Sequence, residues 1–159
     1  MISKLDENDQ LNATLSSFNS NDQVPLKNNR LIDNLPEYRG SVLIFVPGMH
    51  DIQTLNDLIT KEFPAEYKID VIPLHSEIPL LQQQRVFLKP QACHRKVIIS
   101  TSIAESSITV SDIKYVIDFC LTKELYSDPQ TNYTHLRQEW ASRSSLNQRR
   151  GRAGRVSDG

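Results

Sequence analysis

Residues 42–52 read VLIFVPGMHDI, and they decide the fold class. Val42-Leu43-Ile44-Phe45-Val46 is a continuous apolar run of strand length, the pattern of a β-strand covered on both faces. Pro47-Gly48 ends it. Asp51 is placed to cap a helix that carries Ile52, Leu55, Leu58, Ile59 and Phe63 at helical spacing, and Pro64 stops that helix. A buried strand followed directly by an amphipathic helix is the first half of a βαβ unit.

The alternation repeats downstream. Ile69–Leu74 reads as the next strand and Leu80–Phe87 as the next helix, closed by Pro90. Lys96–Ser100 is a third strand with Val97, Ile98 and Ile99 at its centre, Thr101–Ser107 a polar turn or short helix, and Tyr115-Val116-Ile117 a fourth strand. Leu121–Leu136, broken by Ser127-Asp128-Pro129, reads as a hairpin. A last helix runs from about Ser142 into an arginine-rich stretch. This order predicts an α/β fold with a mainly parallel sheet between helices.

In such sheets ligands collect at the carboxyl ends of the strands. Pro47-Gly48 follows the first strand, His75-Ser76 the second and Thr101-Ser102 the third. Small, polar or backbone-exposing residues suit phosphates and sugars better than metal binding or acid–base chemistry. No carboxylate is paired with His75 in the pattern, which reads as a structural histidine.

The arginine-rich stretch is Gln148-Arg149-Arg150-Gly151-Arg152-Ala153-Gly154-Arg155. Continued as a helix, it places Gln148, Arg152 and Arg155 at i, i+4 and i+7, on one face. Gly151 and Gly154 would let a backbone or ligand approach. Guanidinium groups present a fixed fork of donors to phosphate oxygens, so a triphosphate contact is one reading. A nucleic-acid patch or plain soluble surface is the other.

Upstream, Val24–Leu35 begins the packed part, with Pro25 opening a helix and Leu31, Ile32 and Leu35 on its apolar face. Residues 1–23 are rich in Asn and Ser and bury too little to offset ordering, so they are expected to form a flexible leader or linker before a folded domain at 24–159. A chain of 159 residues is long enough for one real core. A net charge of −1 creates no global attraction to nucleic acid or membrane, although six arginines face one acid between Arg137 and Arg155. Cys93 and Cys120 fit no metal spacing and no disulfide framework, which points to a reducing intracellular compartment. No apolar run approaches the roughly 20 residues of a bilayer span.

Taken together, four segments carry a family resemblance. VLIFVPGMHDI (42–52) resembles motif IV of the DEAH-box RNA helicases, and LHSEIPLLQQQRVF (74–87) the segment after it. RKVIISTSIAESSITVSDIKYVID (95–118) resembles their motif V and its continuation, and Gln148–Arg155 fits the motif VI pattern QRxGRxGR at every fixed position. The resemblance is to the second, C-terminal RecA-like domain, which implies a three-layer RecA-like sandwich with a protruding β-hairpin. Within the family, Tyr126–Trp140 is similar to the tudor-domain-containing germline helicases of the spindle-E type.

The resemblance implies the following roles. Arg152 and Arg155 match arginine fingers, which stabilise charge on a transferring γ-phosphate and in comparable NTPases are worth on the order of 10³ to 10⁵ in rate. Gln148 matches the glutamine that orients the attacking water. Phe87 matches an aromatic stacked on adenine, the alternative being a core phenylalanine closing its helix. Ser107, Thr109 and Arg149 belong to the nucleotide side, whereas Arg150 occupies a variable position and reads as surface. Thr101, Ser102, Pro47 and Gly48 belong to the RNA side, with contacts to sugar and phosphate. Two departures stand out: Ser102 replaces the usual asparagine, and Ser111-Asp112 replaces the usual Asp-Gly, so the expected carboxylate is missing or displaced by one residue.

The chain holds no GxxxxGK[ST] loop and no DEAH tetrad. The resemblance therefore implies an excised domain, truncated near Gly159 and inactive alone, in a larger protein that uses ATP and Mg²⁺. The Mg²⁺ is expected on the first RecA-like domain, and none on this one. Implied partners are RNA read independently of sequence, the first RecA-like domain of the same chain and germline small-RNA (piRNA) pathway proteins, with no membrane. The implied location is cytoplasmic, in perinuclear granules, with the nucleus as alternative. Three functions remain open: a helicase motor domain, an ATP-gated RNA clamp or scaffold with little unwinding, and an unrelated α/β domain with a basic helix.

Overall fold

The computed structural model describes residues 39–106 and 108–154. The expected leader, the helix at Val24–Leu35, Ser107 and Arg155 lie outside these residues. Four parallel strands, β1 (Arg39–Phe45), β2 (Ile69–Leu74), β3 (Arg95–Ser100) and β4 (Ile113–Asp118), form one sheet in the order β2-β3-β1-β4. Helix α1 (Met49–Glu62) links β1 to β2; α2 (Leu80–Gln83) and the 3-10 turn Gln84–Phe87 link β2 to β3; the single turn α3 (Ile103–Ser106) lies between β3 and β4. This is the α/β layered architecture that the alternating pattern predicts.

Strand periodicity sorts the core into two layers. Ile44, Val46, Val97 and Ile99 pack with Ile52, Leu55 and Ile59 of α1. On the opposite face Leu43, Phe45, Ile72, Leu74 and Ile98 pack with Val86, Ala104, Val110 and Ile113. Both faces of β1 and β3 are therefore covered, which is why those strands read as unbroken apolar runs.

A separate two-stranded antiparallel sheet follows, β5 (Leu121–Ser127) and β6 (Thr134–Trp140). Its register runs from Leu121 opposite Trp140 to Ser127 opposite Thr134, so the hairpin is longer than the expected Leu121–Leu136. Asp128 organises its turn: Oδ1 accepts from the Gln130 amide at 2.9 Å and Oδ2 from the Thr131 hydroxyl at 2.9 Å. At its base the Ala141 amide donates to the Cys120 carbonyl at 2.8 Å. Leu125, Leu136 and Trp140 are 71%, 66% and 78% exposed, as expected of a hairpin that stands off the sheet.

Two local expectations are corrected, and the last helix forms as expected. Helix α1 begins at Met49 after Gly48, with no side-chain cap, and Asp51 sits in its first turn, where a carboxylate still favours the positive end of the helix dipole. Leu80–Phe87 is one α-helical turn continued as a 3-10 turn, not one helix. The last helix, α4 (Arg143–Arg150), is capped by Ser142, whose hydroxyl accepts from the Ser145 amide at 3.1 Å, but it stops at Arg150. Gly154 then takes φ 72°, a left-handed conformation that favours glycine.

Candidate functional site

Because the strands are parallel and in register at Phe45, Ser100, Leu74 and Asp118, the residues that follow them share one rim. Thr101 is half-buried and Ser102 exposed there. Pro47 and Gly48, expected to touch RNA, are buried. At Gly48 the hairpin and α1 both come close: a Cβ there would stand 3.1 Å from Lys123 Nζ and 3.3 Å from Asp51 Oδ2. Lys123 itself is exposed, and it brings to this rim a cation that no linear motif signals. His75 Nδ1 accepts from the Glu77 amide at 3.2 Å.

The nucleotide-side candidates lie elsewhere, on the sheet face opposite α1. Between α3 at the carboxyl rim and β4 at its amino end, residues 108–112 run down that face, with Ile108 and Val110 in its core. Thr109, between them, is exposed. Arg152 NH1 donates to the Ile108 carbonyl at 3.1 Å, which fixes the guanidinium next to Thr109, and the residue is only 9% exposed. Phe87 projects from the same layer just after the buried Val86, 56% exposed, so it does not close a core.

The expected single face of Gln148 and Arg152 is not formed. The inner stripe of the segment is Ser145, Leu146, Arg149 and Arg152, at spacings of three and four, and Gln148 is exposed on the outside with Arg150. Arg149 points inward and is 1% exposed. Its Nε donates to Glu105 Oε1 at 2.6 Å, and NH1 donates to Asp118 Oδ1 at 3.0 Å and the Leu121 carbonyl at 3.1 Å. Its guanidinium carbon stands 5.1 Å from the Phe45 ring centre. Arg149 thus ties α3, the end of β4 and the start of β5 together, where the motif alone suggested a nucleotide contact. Asp118 also accepts from the Cys120 amide at 2.8 Å, and Cys120 takes φ 62°. Burial first, then the Asp118 charge, pushes the Cys120 thiol up, with Arg149 opposing.

Asp112 is at the amino edge of the sheet, just before β4. Its carboxylate meets Lys96 Nζ at 2.9 Å and the Ser41 hydroxyl at 2.7 Å. Among the described residues no group of three or more His, Cys, Asp or Glu side chains is disposed to hold a metal ion. Among them, too, no helix is long and apolar enough to cross a membrane.

Residues 26–157 match the helicase conserved C-terminal domain. The chain belongs to that helicase family. This helicase domain is 48% identical over 153 residues to the ATP-dependent RNA helicase TDRD9 of Danio rerio, covering 93% of this chain and 11% of the relative. It is 54% identical over 121 residues to human TDRD9, covering 76% and 9%. It is 47% identical over 141 residues to the probable ATP-dependent RNA helicase spindle-E of Aedes aegypti, covering 82% and 10%. The chain therefore spans about a tenth of the length of these curated relatives. Among solved structures it is similar to the DExH-box NTPase HrpB of E. coli, with a TM-score of 0.70 and 32% identity, over 82% of this chain and 16% of that one. The helicase resemblance, the TDRD9 and spindle-E kinship and the RecA-like α/β fold all stand.

Proposed function

We propose that this domain is the second motor domain of an ATP-dependent RNA helicase of the TDRD9 and spindle-E kind. It completes an ATP site whose other half, with Mg²⁺, belongs to the first RecA-like domain. The observation that carries this reading is Arg152. Its guanidinium is held by the Ile108 carbonyl beside the exposed Thr109, in the layer that also bears the exposed Phe87. A side chain anchored in that way loses little freedom when it meets a γ-phosphate, and preorganised charge is what phosphoryl transfer needs. Arg155 is the second finger, Gln148 orients water from the outer side of the turn, Ser107 and Thr109 meet the nucleotide, and Phe87 stacks on its base.

The strand rim serves RNA. Thr101 and Ser102 offer hydroxyl groups and Lys123 a cation, a set suited to phosphate and sugar and indifferent to base identity. In this reading Pro47 and Gly48 shape the floor beneath Lys123. We further propose that the parent protein acts in a germline small-RNA pathway, in perinuclear cytoplasmic granules, as the resemblance to spindle-E-type helicases implies.

ATP turnover of the full-length protein tests the fingers. Arg152→Ala and Arg155→Ala are each expected to lower kcat by on the order of 10³ to 10⁵. Unchanged turnover in both rejects the assignment. A second reading, an ATP-gated RNA clamp, draws on Asp112, whose carboxylate is engaged by Lys96 and Ser41 at the far edge of the sheet. Strand separation on a tailed duplex distinguishes the two: robust unwinding excludes the clamp.

A further inference from the structure

Lys96, the second residue of β3, faces the same layer as Ile98 and has a side chain only 1% exposed. A buried ammonium needs an acceptor for each of its three donors. Lys96 Nζ finds them in the Val86 carbonyl at 2.8 Å, the Leu88 carbonyl at 3.0 Å and Asp112 Oδ1 at 2.9 Å. The second Asp112 oxygen takes the Ser41 hydroxyl at 2.7 Å. The two carbonyls are those on either side of Phe87, whose ring remains 56% exposed.

An apolar side chain of similar volume would fill this place without the desolvation cost of a charge. What the charge adds is geometry. It pins the carbonyls of the residues before and after one exposed aromatic side chain, and it anchors them through Asp112 to residues 108–112, the strip that also holds Arg152 through Ile108. Phe87 and Arg152 are thereby referred to one piece of backbone. Asp112 stands at one of the two positions where the chain departs from the wording of the DEAH-box motif.

We propose that Lys96, braced by Asp112 and Ser41, is a positioning residue that sets Phe87 for stacking against the nucleotide base. This rests on the stacking role of Phe87 given above. In the full-length protein, Lys96→Met is expected to raise KM for ATP about tenfold and to leave kcat within about twofold. The inhibition constant of inorganic tripolyphosphate, which has no base, stays unchanged. In a Phe87→Ala background the same substitution adds nothing further to KM. If Lys96→Met does not fold, Asp112→Asn and Ser41→Ala loosen the clasp with its lysine in place. Each is expected to raise KM by about two- to threefold with the tripolyphosphate constant unmoved. Equal weakening of ATP and tripolyphosphate, a fall in kcat, a KM effect additive with Phe87→Ala, or no change in any clasp variant overturns the proposal. An unchanged KM in Phe87→Ala alone removes instead the stacking role on which it rests, and is seen without touching Lys96.

Discussion

Arg149 and Glu105, 44 residues apart in sequence, meet through a 2.6 Å bond from Nε to Oε1, inside the domain. That contact joins the two stretches most characteristic of the family, the one around α3 and the one in α4. Their side chains are 1% and 15% exposed, so the pair sits largely out of water, where a lost partner is costly and poorly replaced.

Removal of that arginine is therefore a stability mutation. Arg149→Ala leaves Glu105 and Asp118 without their shared cation and is expected to cost about 3–5 kcal/mol. Arg149→Lys recovers only part of this, since one ammonium cannot span both carboxylates and the Leu121 carbonyl as a planar fork does. Urea unfolding measures both; an Arg149→Ala domain with unchanged stability would mean that the internal tie is irrelevant.

Gly40 allows β1 and β4 to approach. A Cβ there would stand 2.6 Å from Lys114 Cβ, an atom close to the backbone that cannot swing away. Gly40→Ala is expected to destabilise the sheet by about 1–3 kcal/mol. Denaturation midpoints of the two proteins decide this, with no shift expected in the slope.

The hairpin turn is pH-sensitive on the acid side. The Gln130 amide, then the Thr131 hydroxyl, hold the Asp128 carboxyl below its ordinary range. A depressed folded value means that the stabilisation is present above the unfolded value of about 3.9 and is lost as pH falls through the folded one. The protection of the Gln130 amide against hydrogen exchange, taken relative to the intrinsic rate at each pH, should fall in that window, and Asp128→Asn should abolish that fall.

Ser142 caps α4 through the Ser145 amide. Ser142→Ala is expected to cost about 1 kcal/mol, and Ser142→Asp to restore most of it. Thermal unfolding distinguishes the pair, and equal melting of wild type and Ser142→Ala would show the cap to be inert.

The strands were legible because they are local and chemically extreme: apolar runs such as 42–46 admit few structures, and proline and glycine punctuate them. Ile69–Leu74 appears in the structure with the bounds its sequence predicts. The motif VI wording likewise marked the family without any coordinates, since its arginines and glycines recur at fixed spacing. Helix ends were less legible, as Asp51 shows: an acidic residue near a helix start fits both the cap and the first turn.

By itself, the sequence determined the layer order, the parallel sheet, the hairpin and the helicase family, all carried by neighbours in the chain. Which arginine faces where was decided only by tertiary structure. Arg149, Arg150 and Arg152 are alike as letters, but the helix ends at Arg150 and its inner stripe selects Arg149 and Arg152. Their partners, Glu105, Asp118 and Ile108, come from strands and turns tens of residues away. The same holds for Gly48 beneath Lys123 and for Lys96 beneath Phe87. Burial of a charge depends on acceptors that converge in space, and no local spacing reveals that convergence.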